Sequence, residues 1–224
     1  MRVKTWMTKN VITVSPDESM MKASKLMKDH EIRRLPVVDE QGRLIGIISD
    51  RDVKEASPSK ATTLDVHELY YLLSEIKVKD IMTKTAIALH VEDTVEKAAV
   101  VMHDRRVGGL PVVDDANKVV GIITESDIFR VFIDITRVRD GGIQMGFKLT
   151  REPGALKPIL QDITNAGASI LSIMTVYPQG QEHRNAYIRI AEMEKSELNK
   201  LRDQLSGAYE LMFWLRDNVH PVVQ

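Results

Sequence analysis

The 224 residues carry 31 basic and 32 acidic side chains, a formal net charge of -1, so no global field draws the chain to nucleic acid or to an anionic membrane. Cysteine is absent, which excludes disulfides, thiolate metal sites and cysteine nucleophiles while permitting a reducing compartment. With 43% hydrophobic residues and no run near the roughly 18 to 20 apolar residues that span a bilayer, composition predicts a soluble, unprocessed chain of two domains.

Slid against itself, the chain falls into register at an offset of 75, with Val3 on Val78, Met7-Thr8 on Met82-Thr83 and Leu35-Pro36-Val37-Val38-Asp39 on Leu110-Pro111-Val112-Val113-Asp114. Gly46-Ile47-Ile48 meets Gly121-Ile122-Ile123, and Asp52 meets Asp127, without a gap. In the first copy residues 11–14 form a short β-branched strand, Ser15-Pro16-Asp17 turns the chain into a helix, and Met20, Ala23, Met27 and His30 recur at helical spacing. Residues 35–38 and 44–48 then make a hairpin around the turn 39–42, and a second helix starts near Asp50. Small and polar residues at 56–63 predict a loop, followed by a helix over 65–76 with Leu69, Leu72, Leu73 and Ile76 on one side and Tyr70 and Tyr71 as packing aromatics. In the second copy Val95, Ala98 and Met102 occupy the helical stripe. A unit so short cannot bury its sheet face alone, so the copies are expected to pack sheet to sheet about a pseudo-twofold axis.

Met-Thr, then Leu-Pro-Val-Val-Asp, then Gly-hydrophobic-hydrophobic-(Ser/Thr)-x-x-Asp, twice over, resembles the tandem CBS-domain module across residues 1–133. That resemblance implies a cleft between the repeats that binds adenosine-containing ligands such as AMP, ADP, ATP or S-adenosylmethionine. It places the binding turns at Gly46 to Asp52 and Gly121 to Asp127. The residue types suit the task. Ser49 at a helix start presents a hydroxyl and backbone N–H groups to a phosphate, and an ionised Asp52 accepts from both ribose hydroxyls. Ile12, Ile47, Ile87 and Ile122 supply apolar walls for a base, and Thr124, Ser126 and Asp127 repeat the turn in the second copy. Outside such a module a Ser-x-x-Asp reads as a plain helix cap; duplication within it favours a ligand. Arg33, Arg34 and Arg51 of the first copy align with Gly108, Gly109 and Ser126 of the second, so phosphate recognition is expected to be lopsided toward the Ser49/Asp52 cleft. Arg33 and Arg34 can also reach into the other cleft, or stand as a solvated pair.

Past Phe132 the rhythm changes, and Asp140-Gly141-Gly142 ends a linker. Ile143, Met145, Phe147 and Leu149 alternate as a half-buried strand; Arg151-Glu152-Pro153-Gly154 turns into a helix carrying Leu156, Ile159, Leu160 and Ile163 that Gly167 closes. Strands over 169–177 and 185–191, a helix over 195–205 and a last strand over 209–216 complete a βαββαβ order, the ferredoxin-like plan. Glu-Pro-Gly-Ala-Leu opening a helix, then Asn-Ala-Gly-Ala-Ser-Ile, is similar to the ACT domain across 143–218. The resemblance implies pairing into a homodimer and an amino acid bound near the loop of Arg151, Glu152, Pro153 and Gly154. Members that hold an ammonium group carry Asp or Asn where this chain has Arg151, so dimerisation alone and amino-acid sensing both stay open. Phe213, Trp214 and Leu215 read as core and dimer surface.

The expected fold class is α+β: βαββα repeats at 1–57 and 78–133, a linker helix at 58–77, and the ferredoxin-like domain at 143–218. The order resembles the acetoin-utilisation regulatory proteins. This implies a cytoplasmic, non-enzymatic adenine-nucleotide sensor that needs no cofactor or metal and acts on an unidentified regulated protein, through the helix over 128–139. The alternatives are a module for S-adenosylmethionine or another adenosine ligand, and an oligomerisation scaffold with degenerate sites. Against an enzyme, His30, His67, His90, His103, His183 and His220 fall in no metal-ligand spacing, and no nucleophile elbow or P-loop appears; His103-Asp104 reads as a surface pair. Neutral charge and the lack of a helix-turn-helix argue against DNA.

Overall fold

The computed structural model describes residues 1–57 and 74–216 and divides into two compact units, Met1–Phe129 and Arg130–Gln224. In the first copy of the N-terminal unit α1 (Val3–Trp6) precedes α2 (Met20–Asp29), β1 (Arg34–Val38), β2 (Leu44–Ser49) and α3 (Asp50–Ala56). The second copy repeats the series as α4 (Val78–Ile81), β3 (Leu89–His90), α5 (Val95–Arg105), β4 (Gly109–Val113), β5 (Val119–Thr124) and α6 (Glu125–Thr136). The helix expected over 65–76, with Tyr70 and Tyr71, lies outside the described residues except at its end, where Ser74 and Glu75 are helical and Ile76 is not.

Local chemistry explains the boundaries. Ser19, not the Ser15-Pro16-Asp17 turn, caps α2 by accepting from the Lys22 N–H, and Thr94 caps α5 from Lys97 in the same way. Met20, Ala23 and Met27, like Val95, Ala98 and Met102, are buried, whereas His30 falls past the end of α2 and is exposed. The strand expected over 11–14 shrinks to one parallel bridge from Val14 to Val37, and Pro16, which has no N–H, cannot make the next bond that Val91 makes to Val113 in the second copy. Its counterpart β3 has two residues, parallel to β4. Ile12 and Ile87 therefore stand in the extended segments before these strands rather than within them.

The two copies exchange their leading segments. Thr8 pairs with Ile122 through N–H···O bonds of 2.9 and 3.0 Å, and the equivalent Thr83 pairs with Ile47 at the same distances. Val3 N–H donates to Asp93 and Val78 N–H to Glu18, again 75 positions apart. Met7 crosses onto Gly121 and Met82 onto Gly46, with sulfur 2.2 and 2.7 Å from where a Cβ would stand, so only glycine leaves room there. The pseudo-twofold is thus made by swapped strand ends and methionines. Val3, Leu35, Val37, Ile48, Val78, Leu110, Val112 and Ile123 form its buried centre.

In the C-terminal unit β6 (Ile143–Thr150), α7 (Lys157–Asn165), β7 (Ile170–Val176), β8 (His183–Ile190), α8 (Lys195–Ala208) and β9 (Leu211–Arg216) follow the expected order. They form one antiparallel sheet of order β7-β8-β6-β9. Ile143, Met145, Phe147 and Leu149 share a face with Ala186, Ile188 and Ile190, and Ile159, Ile163, Leu198, Leu201 and Leu205 of both helices close over it. Trp214 packs against this core, Phe213 stacks on Tyr187 on the other face, and Leu215 is exposed. Gly167 follows the α7 cap in the left-handed region and donates to Thr164.

The helix expected over 128–139 ends at Thr136, where Arg137 takes a left-handed φ of 55° and Val138–Asp140 tightens into a 3-10 turn. The buried Arg189 guanidinium donates to the Thr136 carbonyl (3.0 Å) and the Gly141 carbonyl (3.1 Å), and the Ser172 hydroxyl also donates to Thr136 (3.1 Å). These contacts satisfy carbonyls that a helix end leaves without intrahelical partners. No helix among the described residues is long and apolar enough to cross a membrane.

Candidate functional site

Exchange of the leading segments puts one copy's first segment opposite the other copy's Ser/Thr-x-x-Asp turn, opening two clefts within the N-terminal unit. One, of about 640 Å³, joins Ile47, Ser49, Arg51 and Asp52 to Thr83, Thr85, Ile87 and Arg106. The other, of about 540 Å³, joins Thr8, Asn10, Ile12 and Glu31 to Ile122, Thr124, Ser126 and Asp127. Both are of the size that small-molecule ligands occupy. The Asp52 cleft thus takes its apolar walls from Ile47 and Ile87 and the Asp127 cleft from Ile12 and Ile122, one isoleucine from each copy.

Both turns are capping boxes. Asp52 Oδ2 accepts from the Ser49 N–H and hydroxyl, each at 2.7 Å, and Ser49 Oγ accepts from Asp52 N–H at 3.4 Å. Thr124 and Asp127 repeat the arrangement at 2.8, 2.8 and 3.4 Å, and Asp127 is buried. At this helix start the Ser49 hydroxyl donates to Asp52, and the Asp50 N–H donates to the Arg33 carbonyl at 3.0 Å. The cationic side chains along the clefts are Arg33, Arg34, Arg51, Lys54 and Arg106. Since both Ser49 bonds converge on Oδ2, they leave the acceptor capacity of the other Asp52 oxygen unused.

Arg33 and Arg34 line both clefts. The point where a Gly108 Cβ would stand is 2.7 Å from an Arg34 guanidinium nitrogen and 2.9 Å from a Glu125 carboxylate oxygen. The glycines that replace the arginine pair in the second copy therefore leave the space that Arg34 enters. Charge asymmetry survives this sharing. Arg33, Arg34, Arg51, Lys54 and Arg106 face Asp50 and Asp52 in one cleft, whereas Arg33 and Arg34 face Glu31, Glu125 and Asp127 in the other. The Asp50 carboxyl is held below its usual range by its hydrogen bond from Lys54 (3.0 Å), against burial and helped by the charges of Lys54, Arg33 and Arg34.

Sequence reasoning missed Thr8, Asn10, Glu31 and Glu125, and Thr83, Thr85, Lys54 and Arg106. The offset of 75 was the available signal, since Thr8 and Thr83, Asn10 and Thr85, and Glu31 and Arg106 are equivalent pairs. Arg151 of the C-terminal loop donates to the Gln181 carbonyl and lies over the Tyr177 ring at 5.8 Å, tying it to the β7–β8 connection, while Glu152, Pro153 and Gly154 are exposed. His103 and Asp104 are both exposed on α5. Among the described residues no group of three or more His, Cys, Asp or Glu side chains could hold a metal ion.

The CBS domain family model matches residues 3–59 and 78–134. Among curated proteins the chain is similar to L-aspartate semialdehyde sulfurtransferase of Methanocaldococcus jannaschii (36% identity over 130 residues, 58% of this chain). It is also similar to that organism's inosine-5'-monophosphate dehydrogenase (39% over 122 residues, 54% of this chain). It spans only 23% and 22% of their lengths. It spans 92% of a CBS domain-containing protein of Dictyostelium discoideum, at 35% identity over 59% of this chain. Among solved structures CBSX2, an Arabidopsis thaliana CBS-pair protein crystallised with AMP, matches with 30% identity and a TM-score of 0.51, covering 61% of this chain and 98% of its own. A Vibrio cholerae protein assigned to acetoin utilization (AcuB) matches with 27% identity and a TM-score of 0.52, covering 62% and 96%. With more than half of its residues matched by the family model and its two copies joined around paired clefts, this chain belongs to the CBS-domain family.

Proposed function

We propose that this chain is a non-enzymatic regulatory sensor of adenine nucleotides, AMP, ADP or ATP, and that the Asp52 cleft is its principal site. The observation that carries the reading is that cleft itself: a capped Ser49-Asp52 turn beside apolar walls, with five cationic side chains and two carboxylates around it. The bound AMP of the similar CBSX2 supports it. Site roles follow: Ile47 and Ile87 flank the base, Asp52 takes the ribose, and Arg33, Arg34 and Arg51 take phosphate, while Ile12, Ile122, Thr124, Ser126 and Asp127 form the weaker second site.

The repeats span 1–57 and 78–133, and the unit over 143–218 is an ACT domain of ferredoxin-like plan that pairs the chain into a homodimer. Its sheet order supports that assignment. Engagement of Arg151 with Gln181 and Tyr177 favours dimerisation over amino-acid capture in its loop. The signal runs along α6, which begins in the Asp127 turn and ends where Arg189 and Ser172 hold Thr136. A coupling of about 1–3 kcal/mol suffices for a physiological response. The partner is a cytoplasmic metabolic protein, and the likeness to AcuB supports a regulatory role of that kind.

Calorimetry of the full chain with AMP, ADP, ATP and S-adenosylmethionine tests the reading. Micromolar binding of a phosphorylated adenosine is expected. Asp52→Asn, which can keep the helix cap but not the charge, is expected to weaken it about tenfold or more, from a loss of about 1.5–3 kcal/mol per charged hydrogen bond. No binding by any of the four, or binding that Asp52→Asn leaves intact, overturns it.

A further inference from the structure

The chain carries opposite charges at one symmetric position. Glu31 and Arg106 are equivalent at the offset of 75, and each follows the helix that precedes the hairpin. Their backbones match: both are left-handed, with φ of 53° and 54°, and both N–H groups close the helix end, on Lys28 at 3.3 Å and His103 at 3.4 Å. Glycine or asparagine suits such a turn best, so Glu31 and Arg106 stand where the backbone favours other residues. Both side chains are exposed, and each residue lines a different cleft, Glu31 beside Thr124 and Asp127 and Arg106 beside Ser49 and Asp52.

We infer that Glu31 and Arg106 determine which adenosine compound each cleft accepts, a specificity role that rests on the adenosine reading above. Arg106 adds a cation to a cleft whose Asp50 is already paired with Lys54, and so commits it to a tail of two or more phosphates. Glu31 adds a third carboxylate to a cleft with two arginines, and so commits it to an adenosine whose tail is neutral or cationic. Like charge lining a cleft discriminates against a polyanion while leaving a neutral nucleoside unaffected. One duplicated scaffold then reads two adenosine compounds of different charge.

The test measures ATP and adenosine affinities of the full chain by calorimetry for wild type, Arg106→Glu and Glu31→Arg, with Asp127→Asn or Asp52→Asn backgrounds isolating each cleft. In the Asp127→Asn background Arg106→Glu is expected to weaken ATP about tenfold and adenosine less than threefold. In the Asp52→Asn background Glu31→Arg is expected to tighten ATP about tenfold with adenosine again little changed. Arg106→Gln and Glu31→Gln repeat the measurement with half the charge change, and smaller shifts in the same directions are expected, should a full reversal disturb folding. Unchanged ATP-to-adenosine ratios in both pairs overturn the specificity assignment while leaving the sensor reading intact. A wild-type chain that binds neither ATP nor adenosine overturns this assignment, and the sensor reading falls with it only where AMP and ADP are not bound either.

Discussion

Replacing Arg33 and Arg34 together by alanine is expected to lower ATP affinity about a hundredfold while adenosine affinity changes less than threefold. The two residues line both clefts, so the loss should extend to phosphate binding in either of them. A charge-assisted hydrogen bond contributes about 1.5–3 kcal/mol. Arg34 is half-buried and merits that figure, whereas Arg33 is exposed and solvent screening reduces it to about 1 kcal/mol. The sum, about 3 kcal/mol, corresponds to a hundredfold. Truncation of Arg34 also removes a stem whose Cδ lies 3.4 Å from the Gly109 Cβ position, so Arg34→Gln, which keeps most of the stem, separates lost charge from lost packing. The measurement is calorimetry with ATP and adenosine in parallel. A drop below threefold for ATP identifies the pair as solvated surface charge and moves anion recognition to Arg51, Lys54 and Arg106.

The repeat was legible because its conserved frame lies in the buried strands: Leu35, Val37 and Ile48 and their counterparts Leu110, Val112 and Ile123 face the same kind of core. Capping chemistry was legible too, since Ser49 and Thr124 announce a helix start whatever else they do. The exchange of leading segments was not. The two copies repeat the same strand pattern at this edge, Gly46-Ile47-Ile48 and Gly121-Ile122-Ile123, so the pattern cannot say whether Thr8 pairs with Ile47 of its own copy or Ile122 of the other. Without that exchange the clefts cannot be assembled on paper, and Glu31 and Arg106, which follow helices rather than lying in a motif, go unnoticed. Apolar periodicity also misplaced the end of α6: Val138 continues the stripe, yet Arg137 turns left-handed where Arg189 takes hold of the Thr136 carbonyl. Buried polar contacts between distant residues leave no periodic trace in the chain.

Gly142→Ala is expected to destabilise the C-terminal unit by about 3 kcal/mol while leaving nucleotide affinity within threefold of wild type. Gly142 has a φ of 83°, which costs a side-chain-bearing residue about 1–2 kcal/mol. A Cβ there would stand 2.1 Å from the Ile190 carbonyl oxygen, and that neighbour is backbone of a core strand paired with Ile143, so it cannot rotate away. The displacement adds an overpacking cost of about 1–3 kcal/mol. Gly154→Ala is the matched control, since its φ is 87° with nothing within 4 Å of the added carbon, and only the backbone part, about 1 kcal/mol, applies. In a thermal melt the difference appears as a fall of roughly 12–24 °C for Gly142→Ala against about 4–8 °C for Gly154→Ala. Equal falls would mean that β8 yields at Ile190 and that the contact does not govern the turn. Affinity is expected to persist because both clefts lie within the Met1–Phe129 unit, whereas Gly142 adjoins Gly141, whose carbonyl shares the Arg189 guanidinium with Thr136. Loss of nucleotide binding in a folded Gly142→Ala chain would instead show that α6 holds the Asp127 turn in place from its far end.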